Sequence, residues 1–380
     1  MDTRPPQHIG VFLPDLSFGG VEQVMLRLSE GMVERGVTVD LVVADAEGPA
    51  RAQVAPGVRL VDLGKARTVA ALPGLVGYLR GTRPDVIIAA KDHAVLVAVL
   101  ASVVARALAP RRPRVPVIAT VHSLTSVALQ ESARRTGTVV ARLLPWTLAR
   151  CAAVVAVSDG VADDLRLLTA GKGTEPMVIR NPVITPELLA AGDQPVAHPW
   201  YSEPHAEPVL VWCGRLGSEK DPLTAVRAFA LAAEHRPLRL VVVGDGPLRD
   251  DVEREANAQG VAERIALLGY QEQPAPFLAG ADLFVLSSRR EGMPTALVEA
   301  AALGTRVVAT DCQAGPRELL GRNAPEALAP VGDSAALAAA MLQALDRPGP
   351  TLPPADLDDF RQDRATEHYL ELCEQVGSPR

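Results

Sequence analysis

The 380-residue chain is short of aromatic residues, at 3% of the total, and has only four cysteines. Cys151, Cys213, Cys312 and Cys373 lie far apart and never in CxxC spacing. That excludes a zinc ribbon or a disulfide framework and fits a reducing cytoplasm. With few rings to stack on bases and a net charge of −7, a nucleic-acid partner is also excluded. Long apolar runs are missing as well. The longest, Ala94 to Ala105, stops at Arg106, short of the ~20 residues that cross a bilayer, and reads as a buried helix. No leader peptide is expected: "HIGVFLPDL" begins a strand almost at once, without a long apolar region or cleavage site.

What the chain does have is apolar content, 48%, mostly alanine, valine and leucine. Its length points to two domains rather than one. The 32 prolines and 30 glycines are spread evenly, as loop punctuation would be. Charge is not spread evenly. Residues 1–200 carry 21 Lys+Arg and 18 Asp+Glu, and residues 201–380 carry 17 and 27. Arg106 to Arg150 alone holds eight arginines and one acid, Glu131. Such a block is either a solvated helix face or a contact for an anionic surface.

Strand-like and helix-like runs alternate from end to end. "IGVFLPDL", "VTVDLVVAD", "DVIIAA", "PVIATVH" and "AAVVAVS" are near-continuous apolar runs, as parallel strands buried on both faces require. A polar, proline-rich stretch then breaks the rhythm. Alternation restarts with "VLVWCGR", "LRLVVVGDG", "IALLGY", "DLFVLSS" and "RVVATD". The expected fold is α/β: two Rossmann-like, doubly wound domains facing across a cleft. The expected boundaries are residues 1–185, a linker 186–207, a second domain 208–350, and a C-terminal helical segment 351–380 that packs back toward the first domain.

Several loops carry candidate chemistry. "VVVGDGPLRDDV" holds half of a dinucleotide fingerprint, but Arg249 stands where a third glycine belongs, and no acid ends the next strand. A tight strand–helix turn explains Gly244 and Gly246 equally well. Gly19 and Gly20 in "DLSFGGVEQ" stand between strand and helix, where backbone N–H groups can meet a phosphate. "CGRLGSEKDP" puts Arg215 and Lys220 in one strand-end loop, suited to a diphosphate; each could equally be an ordinary surface charge. "REGMPTALVEAAALG" places Pro294 in the first turn of a helix starting near Met293. That helix end can offer N–H groups and partial positive charge to a diphosphate. Glu291 in the preceding loop would lie beside the group attached to that diphosphate, and Glu299 on the helix could reach a ribose diol. The bland alternatives are a loop charge or helix cap for Glu291 and a solvated helix residue for Glu299.

These residues carry a resemblance. "EGMPTALVEAAALGTRVVATD" resembles the E-x7-E signature of retaining glycosyltransferases of family 4, which have the GT-B fold. "FGGVEQ", "TVHS", "VAVSDGVADDL", "RNPV", "GRLGSEKDPLTAVRAF", "VVGDGP" and "ADLFVLSSRREGMP" follow in the order that family uses. "DCQAGPREL" is similar to the branch acting on bacterial surface glycans and lipid-linked oligosaccharides. The resemblance implies a nucleotide diphosphate sugar donor, with UDP-sugars favoured, and a glycan, lipid-linked or small-molecule acceptor. It implies that Arg215 and Lys220 bind the donor diphosphate, that Glu291 with Gly292 and Met293 holds the sugar, and that Glu299 holds the ribose. Gly20 would let its loop close on the phosphates, His122 would approach the donor sugar, and Gly269 and Tyr270 would lie near the base. No DxD-type motif is present, and such enzymes are expected to need neither metal nor cofactor. A lipid-linked acceptor would give the Arg106–Arg150 block a role at the inner face of a membrane. The competing readings are a sugar-nucleotide epimerase or phosphorylase on a similar fold, and a non-catalytic scaffold subunit.

Overall fold

The computed structural model describes residues 6–17, 19–127, 138–202, 207–347, 349 and 351–377. The chain forms two compact units, residues 1–182 with 361–380, and residues 183–360.

In unit 1 the strands β1 (His8–Leu13), β2 (Thr38–Val43), β3 (Arg59–Asp62), β4 (Val86–Ala90), β5 (Val117–Val121), β6 (Ala153–Ala156) and β7 (Pro176–Val178) form one parallel sheet in the order β3-β2-β1-β4-β5-β6-β7. β4, β5 and β6 are buried along their whole length. Helices cover them, which is why their sequences do not alternate. These helices include α1 (Gly20–Glu34), α2 (Leu72–Gly81), α3 (Asp92–Ala107), α4 (Thr138–Leu148) and α5 (Asp159–Thr169).

The expected C-terminal helix is shorter than residues 351–380: it spans Gln362–Val376 and is numbered α13 below, after the helices of unit 2. It lies in unit 1. Gly31 of α1 permits a close approach, since a Cβ there would sit 2.4 Å from Thr366 Oγ1. Gln362 Nε2 donates to Arg27 O at 2.8 Å, and Tyr369, Leu372 and Cys373 complete the core around Met25, Leu28 and Met32. One carboxylate is fully buried beneath the sheet's edge. Asp40 in β2 accepts from Arg59, from Tyr78 Oη at 2.8 Å and from His8 Nε2 at 2.8 Å.

In unit 2 the strands β8 (Val209–Cys213), β9 (Arg239–Val243), β10 (Ile265–Gly269), β11 (Leu283–Leu286), β12 (Arg306–Thr310) and β13 (Leu328–Ala329) form a second parallel sheet, in the order β10-β9-β8-β11-β12-β13. Its helices are α6 (Pro186–Gly192), α7 (Pro222–Ala233), α8 (Arg249–Ala258), α9 (Ala275–Ala279), α10 (Thr295–Ala302), α11 (Pro316–Leu320) and α12 (Ser334–Asp346). Residues 186–202, expected as linker, are packed into this unit. Thr185 Oγ1 caps α6, and Tyr201 Oη donates to Phe277 O at 3.1 Å.

Each sheet reverses its winding once. In unit 1 the reversal falls between β1 and β4, and in unit 2 between β8 and β11. At such a point the following helices diverge and leave a crevice beyond the strands' carboxyl ends. Most of the candidate residues collect at these two places, while Gly269 and Tyr270 follow the edge strand β10.

Candidate functional site

In unit 2 the loop after β8 carries Arg215 and Lys220, and the loop after β11 carries Glu291. The reversal brings them together: Lys220 Nζ lies 2.6 Å from Glu291 Oε1. Their side chains are 26% and 8% exposed. Ser288 Oγ donates to the same carboxylate oxygen at 2.6 Å. Both of these bonds fall on Oε1, and Oε2 has no hydrogen bond among the described residues. Burial alone would lower the pKa of the Lys220 ammonium. The adjacent Glu291 charge, with Glu219 adding to it, outweighs burial and raises the pKa above its ordinary value. The ammonium is therefore charged at neutral pH.

Both loops are held rigidly. Trp212 is 1% exposed, and its Nε1 donates to Ser287 Oγ at 3.0 Å. The Ser287 hydroxyl in turn reaches the carbonyls of Lys220 and Asp221, at 3.0 and 2.8 Å. Asp221 adopts a left-handed backbone (φ 45°), caps α7 through Thr224 and pairs with Arg289 at 2.9 Å. A non-glycine residue held at positive φ stores strain that the surrounding bonds must sustain. Here it fixes the residue next to Lys220. On the other side, Cys312 Sγ and Thr310 Oγ1 both donate to Ser288 O.

α10 starts at Thr295 with Pro294 as its cap, two residues later than expected. Pro294 is extended (ψ 96°) and so lies outside the first turn. Among the described residues, the N–H groups of Gly292, Met293, Thr295 and Ala296 have no acceptor. Two of these precede the Pro294 cap and two open the helix, and beside a charged lysine such donors can meet an anion. The backbone of this turn is also approached by Gly315 (φ 61°), where a Cβ would lie 2.5 Å from Pro294 Cδ. Glu299 is half-buried on α10. Its charge adds to the burial that pushes the Cys213 thiol up to about 12, which puts its carboxylate near the end of β8.

Arg215 is less settled. Its side chain is 70% exposed and only 3.9 Å from Glu219. Gly269 and Tyr270 end the edge strand β10, two strands from β8, and Tyr270 is 49% exposed. Gly244 and Gly246 are explained by packing. A Cβ at Gly244 would lie 1.9 Å from Gly214 O, and one at Gly246 would lie 2.7 Å from Leu216 O. They let the loop after β9 pass under the Arg215 loop.

In unit 1, Gly19 caps α1 and Gly20 opens it, with no side chain capping the helix start. Glu22, in the first turn, packs against it. It is 1% exposed, its carboxylate lies where a Gly19 side chain would go, and it pairs with Lys91. Lys91 follows β4 with a left-handed backbone, φ 73°. His122, at the end of β5, is half-buried, and its Nε2 lies 2.9 Å from Thr120 Oγ1. Burial, then the Lys91 charge, lowers its pKa to about 4, so its imidazole is neutral. Nearby, burial and the Asp164 charge push the Asp92 carboxyl up to about 6. The sequence reading missed Lys91 and Glu22. The available signal was the polar triplet Lys91-Asp92-His93 directly after the apolar strand β4. Of the Arg106–Arg150 block, Arg134, Arg135 and Glu131 lie outside the described residues.

Among the described residues no three His, Cys, Asp or Glu side chains are grouped to hold a metal ion, and no helix is long and apolar enough to cross a membrane.

Comparison with known proteins gives these sites a context. Residues 18–185 match the model of "Glycosyltransferase Family 4", and residues 207–347 match that of "Glycosyl transferases group 1". An uncharacterized glycosyltransferase of Methanocaldococcus jannaschii is 36% identical over 30% of this chain and 28% of its own length. The lipopolysaccharide core biosynthesis glycosyltransferase LpsE of Rhizobium meliloti is 28% identical over 58% of this chain and 63% of its own length. The 2-deoxystreptamine N-acetyl-D-glucosaminyltransferase of Streptomyces fradiae is 27% identical over 84% of this chain and 80% of its own length. The chain thus spans under two thirds of the first two. Among solved structures, Anabaena HepE in complex with UDP and glucose shares the fold at TM-score 0.70 and 18% identity, over 97% of both chains. The two domain models in tandem, which together match residues 18–185 and 207–347, place the chain among the glycosyltransferases, and the shared architecture with its two reversed parallel sheets is the GT-B fold.

Proposed function

We propose that the chain transfers a sugar from a nucleotide diphosphate donor, with a UDP-sugar favoured, to a glycan, lipid-linked or small-molecule acceptor. Transfer retains the anomeric configuration and needs no metal ion. The observation that carries this reading is the Lys220–Glu291 pair at the β8/β11 reversal, set against the open N–H groups before α10. Breaking the anomeric C–O bond puts positive charge on the sugar and negative charge on the departing diphosphate. Lys220, Arg215 and the α10 N-terminus are the groups that would stabilise the second. The acceptor oxygen bonds to the anomeric carbon on the face the diphosphate leaves, and a phosphate oxygen takes the acceptor proton. Glu291 Oε2, with Gly292 and Met293, holds hydroxyls of the transferred sugar. Glu299 holds the ribose, Gly269 and Tyr270 flank the base, and neutral His122 contacts the sugar.

Residues 1–185 are assigned to acceptor binding and 208–350 to donor binding, with peripheral membrane contact through the Arg106–Arg150 block. Relatives named for lipopolysaccharide core synthesis and for a deoxystreptamine acceptor support the acceptor classes named, and a neighbour bound to UDP supports the donor. The test is a thermal-shift series with UDP, GDP, ADP and their sugars, with and without chelator, followed by NMR of the product's anomeric centre. At 100 times its dissociation constant the right nucleotide stabilises by about 2.7 kcal/mol. No shift by any nucleotide, or an inverted product, would remove the reading.

A further inference from the structure

A cavity lined by basic residues lies away from both reversals. It lies in unit 1, at the amino ends of β4 and β5, and encloses about 640 Å³. Across five-residue strands this is about 16 Å from the carboxyl ends where Gly19, Lys91 and His122 sit. Its floor includes Leu79, Ala105 and Val115. Its wall is basic: Arg80 from the last turn of α2, Arg83 from the turn before β4, Arg106 from the end of α3, and Arg112 and Arg114 from the loop into β5.

Five guanidinium groups face one carboxylate, Asp85, in this lining. That carboxylate is partly committed: its Oδ2 accepts from the N–H groups of Gln7 and His8, at 2.9 and 3.0 Å. Among the described residues none of Arg80, Arg83, Arg106 and Arg112 is ion-paired. Arg83, Arg106 and Arg112 donate at 3.3–3.5 Å to the carbonyls of Arg80 and Ala109. Such long bonds leave most of the donor capacity unused.

The wall is also built rather than merely exposed. Ser102, 1% exposed, donates to Val115 O at 2.5 Å and accepts from Arg114 Nε at 3.0 Å, so the half-buried Arg114 is held in place. Burial, and the like charge of Arg150, lower the pKa of its guanidinium. Arg83 adopts a left-handed backbone, φ 57°, immediately before Pro84. A residue before proline strongly prefers extended backbone, so this turn is strained at the place where it presents an arginine. Like charges gathered around a concavity repel each other, and a polyanion relieves that repulsion while using bidentate donors that match its oxygens.

We propose that this basin is an anion site for a phosphate-bearing ligand, separate from the sugar-transfer site. The shared chemistry is a phosphomonoester or diphosphate group, carried by a soluble phosphate ester or by the headgroup of an anionic lipid. Recognition is by Arg83, Arg112 and Arg114, with Arg80 and Arg106 at the rim.

The test is calorimetric titration of the full chain with inorganic pyrophosphate in wild type, in Arg83→Ala/Arg112→Ala and in Arg215→Ala. Both arginines of the double variant are exposed, so folding is preserved, and far-ultraviolet circular dichroism checks it. The expected result is binding that weakens at least tenfold in the double variant, survives in Arg215→Ala and falls steeply with salt. A second arm uses cosedimentation with phosphatidylglycerol vesicles. Binding that pyrophosphate displaces identifies a headgroup as the source, and pyrophosphate binding without vesicle binding identifies a soluble ester. Pyrophosphate binding lost in Arg215→Ala but intact in the double variant would overturn the assignment, as would no pyrophosphate binding at all.

Discussion

The Lys220–Glu291 pair can be tested as a unit. At 2.6 Å and an effective dielectric of about 20, the gross attraction is about 6 kcal/mol. Desolvation cancels much of it, because the Glu291 side chain is only 8% exposed. Lys220→Met removes the cation and strands the buried carboxylate, which should cost about 3–5 kcal/mol of stability. Glu291→Gln leaves the ammonium an amide oxygen to bond and should cost less. Lys220→Met/Glu291→Gln removes both charges, so its loss of stability should fall short of the sum of the single losses by about 2 kcal/mol. Urea unfolding followed by tryptophan fluorescence reads this directly, since Trp212 is buried beside these loops. Lys220 has a raised pKa, so its stabilisation is complete below its ordinary 10.5 and is lost only as pH rises through the higher folded value. Assays at neutral pH therefore see all of it. Turnover should not follow stability. The double variant regains stability but still lacks a leaving-group donor, so kcat should remain about 10²–10³ below wild type. Additive stability losses would show that the contact is incidental, and recovery of turnover along with stability would refute the leaving-group role.

The buried Asp40 carboxylate depends on its donors, so Tyr78→Phe should destabilise unit 1 by about 1–3 kcal/mol in urea titrations. Burial raises the Asp40 pKa, but the bonds from Arg59, Tyr78 and His8 bring it below the ordinary value. Its stabilisation is therefore present above pH 4 or so and lost as pH falls through the folded value, an acid limb that Asp40→Asn should flatten. His122 should titrate by NMR near 4; a value near 6.5 would contradict its desolvated setting. Because that pKa is depressed, the His122 contribution is complete above 6.5 and lost as pH drops toward 4, and His122→Asn should remove that dependence. Gly315→Ala forces a Cβ to within 2.5 Å of Pro294 at positive φ. It should cost about 1–3 kcal/mol and weaken nucleotide binding, as isothermal titration would show.

Much of this was legible in the sequence. Near-continuous apolar runs such as "DVIIAA" and "LRLVVV" become parallel strands whose apolar residues are buried, because burial on both faces removes the alternation. The strands that escaped notice are β3, β7 and β13, two to four residues each at sheet edges. Such pieces bury too little to leave a pattern. Lys220 and Glu291 were each legible as strand-end charges. Their contact was not, because the residues are 71 apart and meet only through the strand order. Lys91 was passed over because a lysine beside an aspartate and a histidine looks like an ordinary polar turn. Its left-handed backbone and its bond to a buried Glu22 are invisible without the fold.

The two reversals solve one physical problem in opposite ways. Where adjacent parallel strands send their helices apart, the crevice exposes helix N-termini, and these attract negative charge. In unit 1 the protein supplies that charge itself. Glu22 sits in the first turn of α1, 1% exposed, against Gly19 and paired with Lys91. A phosphate at Gly19 and Gly20 would therefore have to displace a carboxylate that already has its cation. In unit 2 the carboxylate is on the loop before the helix, and neither its Oε2 nor the N–H groups at the start of α10 have a hydrogen-bond partner among the described residues. On the reading proposed above the donor diphosphate lies beside Lys220, and a phosphate at Gly19 and Gly20 would meet the Glu22–Lys91 pair.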